Sequence, residues 1–172
     1  SRGLGDVYKR QVVPVVTPMI GMKSLGIKSV TIRTRQALSG AGWKLLFDAE
    51  ALSGNVNPFI PQEEEKLIAE LKYLLGIDVP VIASCNRVSE RDGHFVSVGV
   101  ELSRETTVEE VEELMKIPTL GLPSSPKLVN EIIVDSPTRQ EYLWNGNGMT
   151  TTVGNIRVCL LYTSPSPRDR YI

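Results

Sequence analysis

The chain holds one histidine, His94, directly after Gly93 and seven residues beyond Arg87. An imidazole changes charge near neutral pH, so within a site His94 is the natural general acid or base; outside one it is an ordinary structural residue. Arg87, in Ser84-Cys-Asn-Arg-Val88, carries a planar fork that either grips a carboxylate at two points or closes a structural ion pair at a strand end. Gln36-Ala-Leu-Ser-Gly-Ala-Gly42 is a strand end running into a glycine turn, where exposed backbone N–H groups would let a phosphate or cofactor come close. It is not a dinucleotide fingerprint, because no strand-helix-strand unit carries it. No second His or Cys stands at ligand spacing from His94, so no metal site is expected.

These residues need elements to hold them. Residues 14–25 read as a short helix ended near Gly26, and residues 27–38 as a strand. Along that strand Val30, Ile32 and Thr34 face one way and Thr31, Arg33 and Arg35 the other, the pattern of a half-buried strand. Ser39 to Gly42 breaks it, and residues 49–60 read as loop, with turn signals at Ser53-Gly54-Asn55 and Pro58. From Pro61 the pattern is helical: Glu63, Glu64 and Glu65 occupy the first turn, where the helix dipole favours anions, and Leu67, Ile68, Leu71, Leu74 and Leu75 form an apolar face capped at Gly76. Residues 79–88 and 95–102 read as strands joined through Ser89 to Gly93, an expected antiparallel pair. Thr107 followed by Glu110 resembles a capping box, opening a helix that ends by Pro118. Residues 122–126 read as loop, and residues 132–134 and 149–158 as further strands. The expected class is α+β, a mixed and largely antiparallel sheet with helices packed on it.

The 172 residues carry 19 Lys and Arg against 20 Asp and Glu, and 41% are hydrophobic. A near-zero charge argues against a generic basic nucleic-acid binder. No apolar run approaches the roughly 20 residues of a membrane span, and no secretory signal is present, so a cytoplasmic protein with no membrane partner is expected. The two ends read as foreign. Back-translated and reverse-complemented in a shifted frame, Ser1 to Gln11 gives the residues from Cys159 to Asp169, so one DNA segment, resembling a sequencing adapter, flanks the insert. The expected organisation is therefore adapter at 1–11 and 159–172, a catalytic and dimerisation domain at 12–146, and a returning C-terminal segment at 147–158. Between the ends Cys85 is the one cysteine left, which excludes a disulfide framework.

Five motifs occur in order: Gln36-Ala-Leu-Ser-Gly-Ala-Gly, Asn57-Pro-Phe-Ile-Pro with Glu63-Glu-Glu-Lys66, Cys85-Asn-Arg-Val with Asp92-Gly-His94, Leu122-Pro-Ser-Ser-Pro-Lys127, and Gly148-Met-Thr-Thr-Thr-Val-Gly154. Together they resemble the C-terminal domain of aspartate-semialdehyde dehydrogenases of the archaeal and fungal branch, over essentially all of residues 12–158. The resemblance implies a glyceraldehyde-3-phosphate-dehydrogenase-like fold and NADPH-dependent reduction of L-aspartyl 4-phosphate to the semialdehyde through a cysteine thioester, in lysine, methionine and threonine biosynthesis. It implies that His94 is the acid/base residue, that Gln36 orients the reacting groups and that Arg87 binds the substrate α-carboxylate. Glu63 and Lys66 are the candidates for the ammonium-facing glutamate and the phosphate-binding lysine, with Glu70 an alternative to Glu63. Ser39, Gly40 and Asn147 match positions near NADP.

The family's nucleophilic cysteine precedes the first helix and so lies upstream of this chain; Cys85 is not that residue, and the fragment alone is expected to be inactive. A homodimer or homotetramer is expected through a face of the sheet, since the strands around Val81 and Val98 are apolar at many consecutive positions. The competing functions are a malonyl-CoA reductase of the same fold branch and a non-catalytic oligomerisation module. Packing alone does not require Gln36, Arg87 and His94 together, which argues against the module.

Overall fold

In a computed structural model, residues 12–116, 130–135 and 151–159 are described. The expectations for the two ends, for 122–127 and for Asn147 and Gly148 lie outside these residues, apart from Cys159, which is exposed. Helix α1, Val13–Met22, has Pro14 near its start, where a missing N–H costs nothing, and buries Val15, Val16, Met19 and Met22. A 3-10 turn over Lys23–Leu25 closes it, and Gly26, at φ 72°, reverses the chain into strand β1, Ile27–Gln36. The expected alternation holds throughout β1: Val30, Ile32, Thr34 and Gln36 are buried, and Thr31, Arg33 and Arg35 are exposed.

After β1 come a 3-10 turn over Leu38–Ala41 and two short helices, α2 (Trp43–Leu46) and α3 (Ala49–Leu52). The start of the expected 49–60 loop is thus helical. Asp48 is the reason: one carboxylate oxygen accepts the N–H groups of Glu50 and Ala51 at 2.9 and 3.0 Å. Helix α4, Glu63–Leu75, ends at Gly76 in the left-handed conformation, as its sequence requires. Its buried positions are Glu63, Leu67, Leu71 and Leu75, one stripe at four-residue spacing.

Strands β2, Val81–Arg87, and β3, Phe95–Leu102, do not pair with each other. The sheet order is β2-β1-β3, with β1 parallel to β2 and antiparallel to β3, so the expected hairpin is corrected to a crossover past the end of β1. The connection is held there because Leu38 and Ser39 donate their N–H groups to the carbonyls of Glu90 and Arg91 at 2.8 and 3.0 Å. Central placement suits β1, whose Val30, Ile32, Thr34 and Gln36 are all almost fully buried. Helices α1 and α4 cover its inner face, joining Val15, Val16, Met19, Leu67, Leu71 and Leu75 to Val30, Ile32 and Cys85 in one core.

Helix α5, Val108–Met115, packs on α1 so closely that a Cβ at Gly21 would collide with the Leu114 carbonyl oxygen, and glycine is therefore required there. Strands β4 (Asn130–Ile132) and β5 (Thr151–Val153) form a parallel pair beside α5. The capping box is half formed. Thr107 Oγ1 accepts the Glu110 N–H at 3.3 Å, whereas the Glu110 carboxylate turns to Arg104 and Thr106. Thr107→Ala is accordingly expected to lower stability by about 1 kcal/mol, read as a shift in the urea midpoint at constant slope.

Candidate active site

The inner face of the sheet changes from apolar to polar along its strands. Beyond Ile32, β1 presents Thr34 and then Gln36, which are 2% and 1% exposed, and in the parallel pairing Thr34 lies beside Cys85 and Gln36 beside Arg87. Strand β3 runs the other way, with Phe95 opposite Arg35, so its preceding residue, His94, arrives at the same end as Gln36. One parallel and one antiparallel neighbour thus deliver three separated sequence positions to one edge. Gln36 Nε2 donates to Thr34 Oγ1 at 3.4 Å, and the Gln36 carbonyl accepts the Val88 N–H at 2.9 Å.

The turn after β1 fixes the other two side chains through its backbone. The Ala37 N–H donates to His94 Nδ1 at 3.1 Å, while the Ala37 carbonyl accepts from Arg87 Nη1 at 3.1 Å. A methyl placed on Gly40 would lie 2.9 Å from His94 Cε1, 3.3 Å from His94 Nε2 and 3.4 Å from Arg87 Nη1. A side chain at Gly40 would therefore crowd the His94 ring, which would have to shift, while it would only touch Arg87. The turn's N–H groups do not form an open phosphate cradle, as its glycines suggested. Those of Leu38, Ser39, Gly40 and Gly42 all donate to carbonyls within the protein.

Helix α4 completes the edge. Glu63 heads the apolar stripe and is 7% exposed, and its carboxylate acts electrostatically on Arg87. Burial lowers the proton affinity of the guanidinium and Glu63 raises it; an arginine remains charged throughout the physiological range. Glu64 has a different task, accepting the Cys85 backbone N–H at 2.9 Å on the outer edge of β2. Lys66 is exposed and Glu70 half-buried. Sequence reading did not single out Glu64, Thr34 or Ala37; Ala37 acts only through its main chain and has no sequence signature.

Cys85 is 4% exposed, and burial pushes its thiol up. The Thr34 hydroxyl offsets this in part, while Glu64 and Glu63 add to it. A thiol so placed is a poor nucleophile, in keeping with its expected structural role. Iodoacetamide is expected to modify exposed Cys159 readily in the folded protein and Cys85 only in denaturant, as mass spectrometry of the two peptides would show.

Gly40 is exposed beside His94, next to the half-buried Ser39. A shallow apolar depression of about 190 Å³ is lined by Val13, Val16, Thr17 and Leu74. Among the described residues no cluster of three metal-ligating side chains is present, and no helix is long and apolar enough to cross a membrane.

Residues 16–163 match the family model described as the semialdehyde dehydrogenase dimerisation domain. Curated relatives are the aspartate-semialdehyde dehydrogenase of Archaeoglobus fulgidus, 38% identical over 84% of this chain and 46% of the relative, and that of Trichophyton rubrum, 31% identical over 76% and 42%. Among solved structures, aspartate semialdehyde dehydrogenase with NADP from Candida albicans superposes with a TM-score of 0.72 at 25% identity, over 90% of this chain and 49% of that one. The chain spans about half the length of the curated relatives it matches. With mixed-sheet topology and sequence in agreement over most of its length, the chain belongs to the semialdehyde dehydrogenase dimerisation-domain family.

Proposed function

We propose that this chain is the substrate-binding and oligomerising half of an NADP-dependent aspartate-semialdehyde dehydrogenase, which reduces L-aspartyl 4-phosphate to aspartate semialdehyde and phosphate. The observation that carries this reading is the meeting of Gln36, Arg87, His94 and Glu63 at one sheet edge. Arg87 and Glu63 together suit the zwitterionic end of an aspartyl group: the guanidinium pairs with the α-carboxylate and the glutamate with the α-ammonium. A malonyl group has no ammonium and would leave Glu63 without that partner, which favours the aspartyl substrate. Gln36 holds the end of β1 against β2 and orients the bound group. Lys66, exposed three residues beyond Glu63 on α4, is left to attract the phosphate.

Ser39 and Gly40 are the residues of the described set that would hold the nicotinamide end of NADP, and Asn147 belongs to the same proposal. When bound, the cofactor supplies the hydride. The nucleophilic cysteine is proposed to precede α1, so the 172-residue chain by itself is expected to be inactive.

A second copy is proposed to pack on the outer face of the sheet in a dimer, alone or within a tetramer. Val81 and Val98, on which the sequence expectation rested, align with Val30 and Ile32 on the inner side. The outer face instead presents Thr31, Arg33, Arg35 and Ser97 around Ile82, which is 67% exposed. The test is to express the complete coding sequence. Phosphate-dependent reduction of NADP by aspartate semialdehyde is expected, with sedimentation as a dimer or tetramer. No turnover with that aldehyde, or a monomer at micromolar concentration, overturns the respective half of the proposal.

A further inference from the structure

We propose that Glu64 is a positioning residue for the substrate-binding pair: its carboxylate ties the first turn of α4 to the main chain of β2 and so sets the spacing between Glu63 and Arg87. The proposal rests on the proposed activity and adds to it a residue that acts through two others.

Strand β2 lies at the edge of its sheet, with β1 on one side only. On such a strand alternate N–H groups point away from the neighbour and have no ladder to join. Two of them, at the site end of β2, are taken up by one short stretch of chain. The Arg87 N–H donates to the Pro58 carbonyl at 2.9 Å, and the Cys85 N–H donates to Glu64 Oε1 at 2.9 Å. Phe59 forms an isolated antiparallel bridge with Asn86, and its own N–H donates to Asn57 Oδ1 at 3.0 Å. In a continued antiparallel ladder the Cys85 N–H would meet the carbonyl of Ile60. The chain instead turns into α4 through Gln62, at φ 59°, a conformation that strains a residue with a side chain. The Glu64 carboxylate takes the place of the absent carbonyl.

This bond stands next to the pair that the substrate has to meet. Glu63 is the neighbouring residue on α4, at the head of the buried stripe. Arg87 follows Cys85 by two residues on β2, on the same face and about 7 Å further along. The carboxylate and ammonium of an aspartyl group share one carbon, so the groups that pair with them must keep a fixed separation. Leu67, Leu71 and Leu75 bury α4 in the core, but apolar contact has no direction and tolerates sliding along a strand. A charge-assisted hydrogen bond from a fixed main-chain N–H is directional and holds the register.

The test uses the full-length enzyme and four variants. Glu64→Ala is expected to raise KM for aspartate semialdehyde about tenfold and to leave kcat within about threefold, since the loss falls on substrate binding. Glu64→Gln keeps an oxygen that accepts the Cys85 N–H and is expected to stay within about threefold of the parent in both. Glu64→Asp keeps the charge but falls short of β2, and is expected to resemble Glu64→Ala; it carries the test if the alanine variant does not fold. In a Glu63→Gln background, Glu64→Ala is expected to raise KM by less than about threefold more, because the group it positions is already gone. A normal KM in Glu64→Asp or Glu64→Ala, whatever the change in thermal stability, overturns the proposal. So does a full tenfold further loss in the Glu63→Gln background, or equal losses in Glu64→Gln and Glu64→Ala; all three leave the proposed activity standing. A parent enzyme without turnover of aspartate semialdehyde overturns that activity and the positioning role with it.

Discussion

Replacing His94 by alanine in the full-length enzyme is expected to lower kcat by about 100- to 1000-fold, with little change in KM. That is the usual contribution of a positioned general acid or base. The position matters because the ring is held at Nδ1 by Ala37 and flanked by Gly40, so the variant deletes an aligned group and not a mobile surface residue. The half-buried ring also contributes packing, and some loss of thermal stability will accompany the change. Activity and unfolding must therefore be measured on the same preparation. A folded enzyme with near-normal turnover removes His94 from the chemistry; a folded enzyme with turnover reduced as stated places it there.

For Arg87→Lys the expected result is a fall in kcat/KM of about 10- to 150-fold for aspartate semialdehyde, equivalent to about 1.5 to 3 kcal/mol for hydrogen bonds to a charged group. Lysine keeps the positive charge but loses the planar two-point grip. It also gives up the Arg87 Nη1 bond to the Ala37 carbonyl, so the turn that holds His94 loses one of its ties. Affinity for NADP, read by fluorescence titration, is expected to stay within about threefold, since Arg87 acts on the substrate. An unchanged kcat/KM excludes Arg87 from substrate binding, and an equal loss in cofactor affinity indicates that the variant has distorted the whole edge.

Much of this architecture is written locally. Strict alternation along β1 gives both its secondary structure and its buried face, because period-two burial has few other solutions. Gly26 and Gly76 end their helices in the left-handed conformation that glycine adopts without strain, and Thr107 marks the start of α5. The acidic run was legible as a helix start, whereas the choice between Glu63 and Glu70 was not. Glu63 lies four residues before Leu67 on the stripe that continues through Leu71 and Leu75, and a carboxylate on that stripe has to enter the sheet edge.

Residue types and spacing alone therefore determined the mixture of helices and strands, the buried face of β1 and the helix ends. Only the tertiary structure decided which strands are neighbours. An apolar strand fits equally well against several partners, and the short connection over residues 88–94 looks like a hairpin turn until hydrogen bonds from Leu38 and Ser39 draw it across the end of β1. The placement of the His94 ring was likewise decided in three dimensions. It depends on one main-chain N–H, that of Ala37, brought within 3.1 Å of the ring across a separation of 57 residues, and every residue but proline carries such a group.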